Sequence, residues 1–117
     1  MQREGINPEN AQMSDFLCDF CHAEWREDRP MVEGHRGSLI CSRCLSLSFD
    51  ELWNRLGGEA LPEREVCTLC MANHGDPVWA SPAHPEAKVC KRCSKQSVVM
   101  LERDPDYGYK RPAPPAA

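Results

Sequence analysis

The sequence predicts a small α+β fold in which one compact unit occurs twice in tandem. Four Cys-Xaa-Xaa-Cys pairs form two sets, each with 19 residues between its pairs, and the second set follows the first at an offset of 49 residues. Behind the second pair, apolar side chains recur at helical spacing from Leu45 to Leu56. Leu, Ile, Val and Phe make up only 20 of the 117 residues, too few for apolar burial alone to fold such small units. We therefore expect a metal to decide folding.

The paired cysteines indicate structural zinc, with two ions per chain. Zinc takes four ligands in a tetrahedron, and two cysteines separated by two residues reach one metal from a single turn. A structural zinc contributes about 10–16 kcal/mol of apparent binding free energy, against about 3–5 kcal/mol from the core of a unit this small. The metal-free chain should be largely unfolded. The predicted ligand sets are Cys18, Cys21, Cys41 and Cys44 for the first ion, and Cys67, Cys70, Cys90 and Cys93 for the second.

Other arrangements of these cysteines stay open at this point. The pairs could interleave in a cross-brace, or hold iron as in rubredoxin, or act as redox pairs, although the sequential repeat favours one zinc per unit. Histidines are spare candidate ligands, at His22, His35, His74 and His84.

With all four positions of each zinc filled by cysteine, no position stays open for water or substrate. The sequence has no phosphate-binding loop, and no nucleophilic Ser or Cys is left outside the metal sites for a catalytic triad, so we do not expect an enzyme.

Each unit should contain a knuckle at the first cysteine pair, a β-hairpin, and a helix that starts at the second pair. In the first unit the predicted strands are 31–33 and 38–40, and the helix runs from 42 to 56, where Gly57 and Gly58 end it. In the second unit Pro77, Pro82 and Pro85 predict short strands, and the helix reaches about residue 103 before Asp104-Pro105.

Composition divides the chain into five segments. Residues 1–15 have no periodicity and are predicted to be a disordered tail, and residues 105–117 form a proline-rich tail of the same kind. The first finger is predicted over 16–58 and the second over 66–104, with a linker at 59–65.

The net charge of −4 argues against a partner bound by phosphate neutralisation. Each zinc with four thiolates adds to the negative charge of the loaded protein. Basic residues do cluster at the fourth cysteine pair, at Lys88, Lys91, Arg92 and Lys95. The polar start of the chain resembles no signal peptide, and nothing approaches the length of a membrane span, so a reducing, cytoplasmic location is expected.

The first unit resembles the amino-terminal zinc-binding domain of the bacterial ClpX unfoldase. The residues that carry the resemblance are Leu17-Cys18-Asp19-Phe20-Cys21 and Leu39-Ile40-Cys41-Ser42-Arg43-Cys44-Leu45. It covers about 16–56 well and 66–103 more loosely, and it implies two tandem treble-clef-like zinc fingers. That family usually has Gly after the first knuckle, where this chain has His22 and Met71. The ATPase module is missing, so unfoldase activity does not carry over.

The resemblance implies a zinc-dependent protein-interaction module, such as a small bacterial adaptor or regulatory protein, whose partner is another protein. A nucleic-acid-associated protein that uses the basic cluster and Arg43 is the alternative. The predicted interaction face is the apolar stripe Phe49, Leu52, Trp53 and Leu56. We expect the two fingers to pack as an internal pseudo-dimer, with Trp53 and Leu56 against the second unit, rather than as separate beads. The sequence leaves the oligomeric state open.

Overall fold

Each cysteine set has a hairpin and a helix beside it, as the sequence predicts. A computed structural model describes residues 1–115, and Ala116 and Ala117 of the predicted C-terminal tail lie outside this range. The first unit consists of β1 (Met31–Glu33), β2 (Leu39–Cys41) and α1 (Ser42–Phe49). The second consists of β3 (Glu59–Ala60), β4 (Pro77–Ala80), β5 (Lys88–Cys90) and α2 (Lys91–Glu102). Strands β1 and β2 form an antiparallel pair, and β3, β4 and β5 form an antiparallel sheet in that order.

The internal repeat is visible in the backbone hydrogen bonds of the two knuckles. Three bonds of the first unit recur 49 residues later with similar lengths. Cys18 N donates to Ala23 O (3.0 Å), as Cys67 N does to Ala72 O (3.0 Å), and His22 N donates to Cys18 O (2.8 Å), as Met71 N does to Cys67 O (2.9 Å). The third is the bond from Asp19 N to Leu39 O (2.9 Å), which matches that from Thr68 N to Lys88 O (2.7 Å). The two units therefore share one local architecture around their cysteines.

The first helix ends differently from the sequence prediction. It is α-helical only to Phe49 and continues as a wider π-helical turn over Asp50–Asn54. The amide of Gly57 then donates to the carbonyl of Glu51 (2.8 Å), and Leu56 takes the left-handed conformation with φ 53°. The prediction that Gly57 and Gly58 provide this conformation at the helix end is wrong by one residue, because the π turn shifts the end of the helix.

The segment predicted as a linker begins with a short strand. Glu59 pairs with Val78 and Ala60 pairs with Pro77, so β3 covers the edge of the second hairpin. Gly58, with φ 85°, makes the turn into this strand, and a Cβ there would come within 2.6 Å of a Leu52 methyl group. The connection between the units is thus fastened to both of them.

The two units pack against each other through α1, α2 and the knuckles. The hydroxyls of Ser48 and Ser94 lie 3.0 Å apart and are fully buried where the helices meet. The ring of Phe20 stacks on Trp79 of the second unit, with centroids 6.0 Å apart. One buried cluster contains residues of both units, including Ile40, Leu45, Val89 and Val98. This continuous core supports the internal pseudo-dimer over separate beads.

Each knuckle also touches the hairpin region of the other unit. The amide of His35 donates to the carbonyl of Leu69 in the second knuckle (2.7 Å), and the Ser81 hydroxyl donates to the carbonyl of Phe20 in the first. A Cβ on Gly34 would lie 2.6 Å from the Leu69 carbonyl oxygen. The backbones therefore approach so closely that only glycine fits at residue 34.

The terminal segments, predicted to be disordered, lie against the body of the protein. The amino group of Met1 donates to the Leu17 carbonyl (2.7 Å) and pairs with the Asp19 carboxylate (3.0 Å). At the other end, the Tyr109 hydroxyl lies 2.9 Å from the Ser46 hydroxyl on α1. The disorder of these tails in solution stays a prediction. Over residues 1–115, no helix has the length and apolar character needed to cross a membrane.

Candidate metal centres

The first four-cysteine set converges on one point. The sulfurs all lie within 4.8 Å of one another, and the Sγ atoms of Cys21 and Cys41 are 3.7 Å apart. A tetrahedron with Zn–S bonds of about 2.3 Å has edges of about 3.8 Å, so this spacing fits a zinc ion. Three of the four residues are buried, and Cys21 is partly exposed. The set is Cys18, Cys21, Cys41 and Cys44.

The knuckle, β2 and α1 bring these sulfurs together. Cys41 is the last residue of β2 and the N-cap of α1, and its sulfur accepts a hydrogen bond from the Cys44 amide (3.4 Å). The sulfur of Cys18 accepts from the amides of Phe20 and Cys41, both at 3.3 Å. Backbone N–H groups aimed at sulfur favour the thiolate, which is the form that binds metal.

The second centre repeats the first with Cys67, Cys70, Cys90 and Cys93, whose sulfurs also lie within 4.8 Å of one another. The Cys67 sulfur accepts from the Cys90 amide at 3.3 Å, which matches the bond between Cys41 and Cys18. Cys70 is the one partly exposed member, as Cys21 is in the first centre. Both centres are therefore built by the same local structure.

The pKa values of the cysteine thiols differ within each cluster, because the sulfurs share hydrogen bonds and repel one another when ionised. Hydrogen bonds with Cys18 and Cys44 lower the pKa of the Cys41 thiol to about 4, whereas hydrogen bonds with Cys18 and Cys41 raise the pKa of Cys44. In the second cluster, the hydrogen bond with Cys67 raises the pKa of Cys90 to about 11. Neighbouring thiolates repel one another, so four of them ionise together only around a positive charge. A divalent zinc ion would supply that charge.

The chemistry of the donors fits zinc in a closed, structural site. Four sulfur ligands in tetrahedral arrangement are the set that structural zinc uses, and they leave no position for water. Within residues 1–115 the two clusters contain cysteines alone, grouped sequentially and not interleaved. The side chains of His22 and His84 instead stack on each other across the two units, with centroids 3.5 Å apart.

A backbone feature of both knuckles was missed from the sequence. His22 and Met71 directly follow the second knuckle cysteines and have φ angles of 62° and 59°. Side chains cost about 1–2 kcal/mol in this left-handed region, which glycine enters freely. These are the positions where the ClpX-type domain usually has Gly. The replacement of that Gly by His22 and Met71 in this chain therefore marked the two positions that take the left-handed conformation.

Replacing Met71 with Gly should stabilise the zinc-loaded protein by about 1 kcal/mol, because it relieves the strain at an exposed position. Guanidinium unfolding followed by circular dichroism measures the change. Met71→Ala keeps a Cβ at the same φ and serves as the control, with no gain expected. Equal stability of the Gly and Ala variants would contradict the strain.

The predicted interaction face divides into inner and outer residues. Phe49 and Leu52 are buried, at 5% and 0% exposure. Trp53 is partly buried, and its Nε1 donates to the Lys91 carbonyl of the second unit (2.9 Å). Leu56 is 74% exposed, so the prediction that it packs against the second unit is wrong. Beyond the π turn Leu56 takes the left-handed conformation, and its side chain no longer follows the face that buries Phe49 and Leu52.

Comparison with protein-family models, curated proteins and solved structures returned no match to this chain. What is established about function therefore comes from the two four-cysteine clusters, which indicate a zinc-binding module.

Proposed function

We propose that the chain is a zinc-stabilised protein-interaction module of the small adaptor or regulatory type, built from two treble-clef-like fingers. The observation that carries this proposal is the closure of both centres: four sulfurs fill each one, and six of the eight cysteines are buried. A metal enclosed in this way holds the fold and leaves the chemistry to the protein surface. With both metals enclosed, we infer that this surface acts by binding a partner.

The resemblance to the ClpX zinc-binding domain supports a protein as the partner. Domains of that family dimerise through an apolar face and recruit substrates or adaptors. Here α1 and α2 already pack against each other within one chain, with apolar residues such as Leu45 and Val98 buried around the Ser48–Ser94 contact. We propose that the module therefore binds its partner through outer surfaces, in the cytoplasm and without catalysis.

Native mass spectrometry tests the zinc part of the proposal. The protein produced in zinc-replete medium should carry two zinc ions per chain, and removal of zinc by a chelator should abolish the helical circular dichroism signal. A mass with one ion or none, or a fold that survives complete removal of metal, would contradict it.

Affinity capture tests the protein-interaction part. Tagged, zinc-loaded protein should retain a defined partner from native lysate treated with nuclease, and the chelator-treated protein should lose it. Identical retention by loaded and metal-free protein would show that the folded fingers are not the binding element.

A cationic surface around Trp53 favours nucleic acid as a second candidate partner. The Nζ atoms of Lys91 and Lys95 lie 4.5 Å and 4.7 Å from the centroid of the Trp53 ring, and Arg92 is exposed beside them. Aromatic rings flanked by basic side chains bind bases and phosphates in single strands. The acidic net charge of the chain weighs against this candidate.

A salt titration separates the two partner classes. If the surface binds nucleic acid, retardation of a labelled single strand should weaken steeply with salt and disappear in Lys91→Glu/Lys95→Glu. Under the preferred proposal, the wild-type protein gives no salt-sensitive shift. Arg64→Glu/Lys110→Glu, at two exposed basic residues elsewhere on the chain, is the matched control for the change in net charge.

A further inference from the structure

The C-terminal segment of the chain lies as an extended strap in a groove between the two helices. The strap is residues 107–113, which leave the end of α2 and return across α1 without regular secondary structure. The groove, called the strap groove below, is formed by Ser46, Phe49 and Asn54 of the first unit and by Glu102 of α2. It thus spans both units.

Three different interactions hold the strap. Tyr109 is partly buried against the core, and its hydroxyl lies 2.9 Å from that of Ser46. Burial raises the pKa of Tyr109, which keeps the phenol neutral. Two residues further on, Arg111 forms a two-pronged pair with Glu102, through Nε at 2.8 Å and a terminal nitrogen at 2.6 Å. The Arg111 guanidinium also lies 5.2 Å from the centroid of the Phe49 ring.

Backbone recognition completes the contact. The side-chain amide of Asn54 donates to the carbonyls of Pro112 (3.0 Å) and Ala113 (3.2 Å). The Asp50 carboxylate accepts from the same amide group (3.1 Å) and so orients it. A side-chain amide that donates to the carbonyls of Pro112 and Ala113, close to the Phe49 ring, resembles sites that bind extended proline-containing segments.

We propose that the strap groove is a docking site for an extended segment of a partner protein with the pattern Tyr-Xaa-Arg-Pro, and that the chain's own strap fills the groove until such a segment displaces it. This inference rests on the proposed function, for which it supplies a surface and a partner chemistry. Each feature of the groove has one counterpart in the pattern: the Ser46 hydroxyl for Tyr, the Glu102 carboxylate for Arg and the Asn54 amide for the carbonyls at Pro.

The strap is built to be displaceable. Its anchoring ion pair is partly exposed, with 38% of the Arg111 side chain and 27% of the Glu102 side chain open to solvent. Exposed pairs contribute little to stability, and the short tether, with its high effective concentration, keeps the strap in place. A partner segment present at high local concentration competes for the same contacts.

Fluorescence anisotropy with a labelled synthetic peptide tests the proposal on the full-length, zinc-loaded chain. The peptide carries residues 106–117, DYGYKRPAPPAA. In the wild-type chain the strap competes and binding should be weak. In Arg111→Glu the new carboxylate faces Glu102, and this repulsion releases the strap, so the peptide should bind at least about tenfold more tightly. The double variant Arg111→Glu/Glu102→Arg restores the pair within the chain and reverses its charge at the groove, so it should not bind this peptide.

Two further readouts make the result unambiguous. Native mass spectrometry should show two zinc ions in every variant. Loss of metal would therefore contradict the proposed zinc-stabilised fold and function, and not the strap groove. Arg111→Lys keeps the charge without the two-pronged geometry and should give intermediate binding. Equal binding by wild type and Arg111→Glu, or binding by neither, would overturn the proposal. A dimer that Arg111→Glu dissociates would also overturn it, since the strap of a second copy would then be the occupant.

Discussion

Replacing Cys41 with Ser is expected to reduce the zinc content from two ions to one and to unfold the first unit. Cys41 provides a ligand, the N-cap of α1 and the end of β2, so its loss removes most of the roughly 10–16 kcal/mol that a structural zinc contributes. The second ion should remain, because all four of its ligands lie between residues 67 and 93. Native mass spectrometry counts the ions, and circular dichroism reports the loss of helix.

Arg43→Ala is the matched control for this change. Arg43 lies between the ligands Cys41 and Cys44 but has an exposed side chain, so its removal should leave both ions bound. Loss of both ions from Cys41→Ser would contradict two independently closed centres.

Replacing Phe20 with Ala should cost about 3–5 kcal/mol of unfolding free energy, the range for emptying a buried aromatic site. Its ring is fully buried and stacks on Trp79, so the cavity would open between the two units. Denaturant unfolding in the presence of zinc measures the loss. Because the shared core is damaged, the unfolding transition of Phe20→Ala should also be broader than that of the wild type, or split into two.

Phe20→Leu is the control that the chain itself offers, since Leu69 stands at the equivalent position of the second knuckle and is buried there. It should cost less than about 1.5 kcal/mol. A loss below 1 kcal/mol for Phe20→Ala, about the size of a surface effect, would show that the knuckle of the first unit does not pack against the second.

The sequence was most informative where chemistry requires a fixed spacing. Metal ligands separated by two residues need only a local turn, and the equal spacing in the two sets favoured the sequential grouping. The strands of the first unit and the second helix followed from short patterns in the same way, whereas the prolines of the second unit predicted only that its strands would be short. The third strand at Glu59–Ala60 could not be found, because its pairing depends on β4, which lies 17 residues further along the chain.

The end of the first helix shows where a local pattern misleads. Apolar positions up to Leu56 fit one continuous α-helix. The π turn at Asp50–Asn54 changes the register of the side chains around the helix, and Leu56 is therefore exposed. The turn brings Trp53 to the carbonyl of Lys91, a residue of the other unit. Periodicity contains no information about such a partner.

By itself the sequence determined the two four-cysteine sets, the repeat of 49 residues and the order of knuckle, hairpin and helix in each unit. Tertiary structure alone decided how the units meet, through Ser48 with Ser94 and Phe20 with Trp79, and where the C-terminal strap lies. The physical reason is distance along the chain. Turn geometry and metal ligation act between near neighbours, whereas these contacts join residues that only the folded chain brings together.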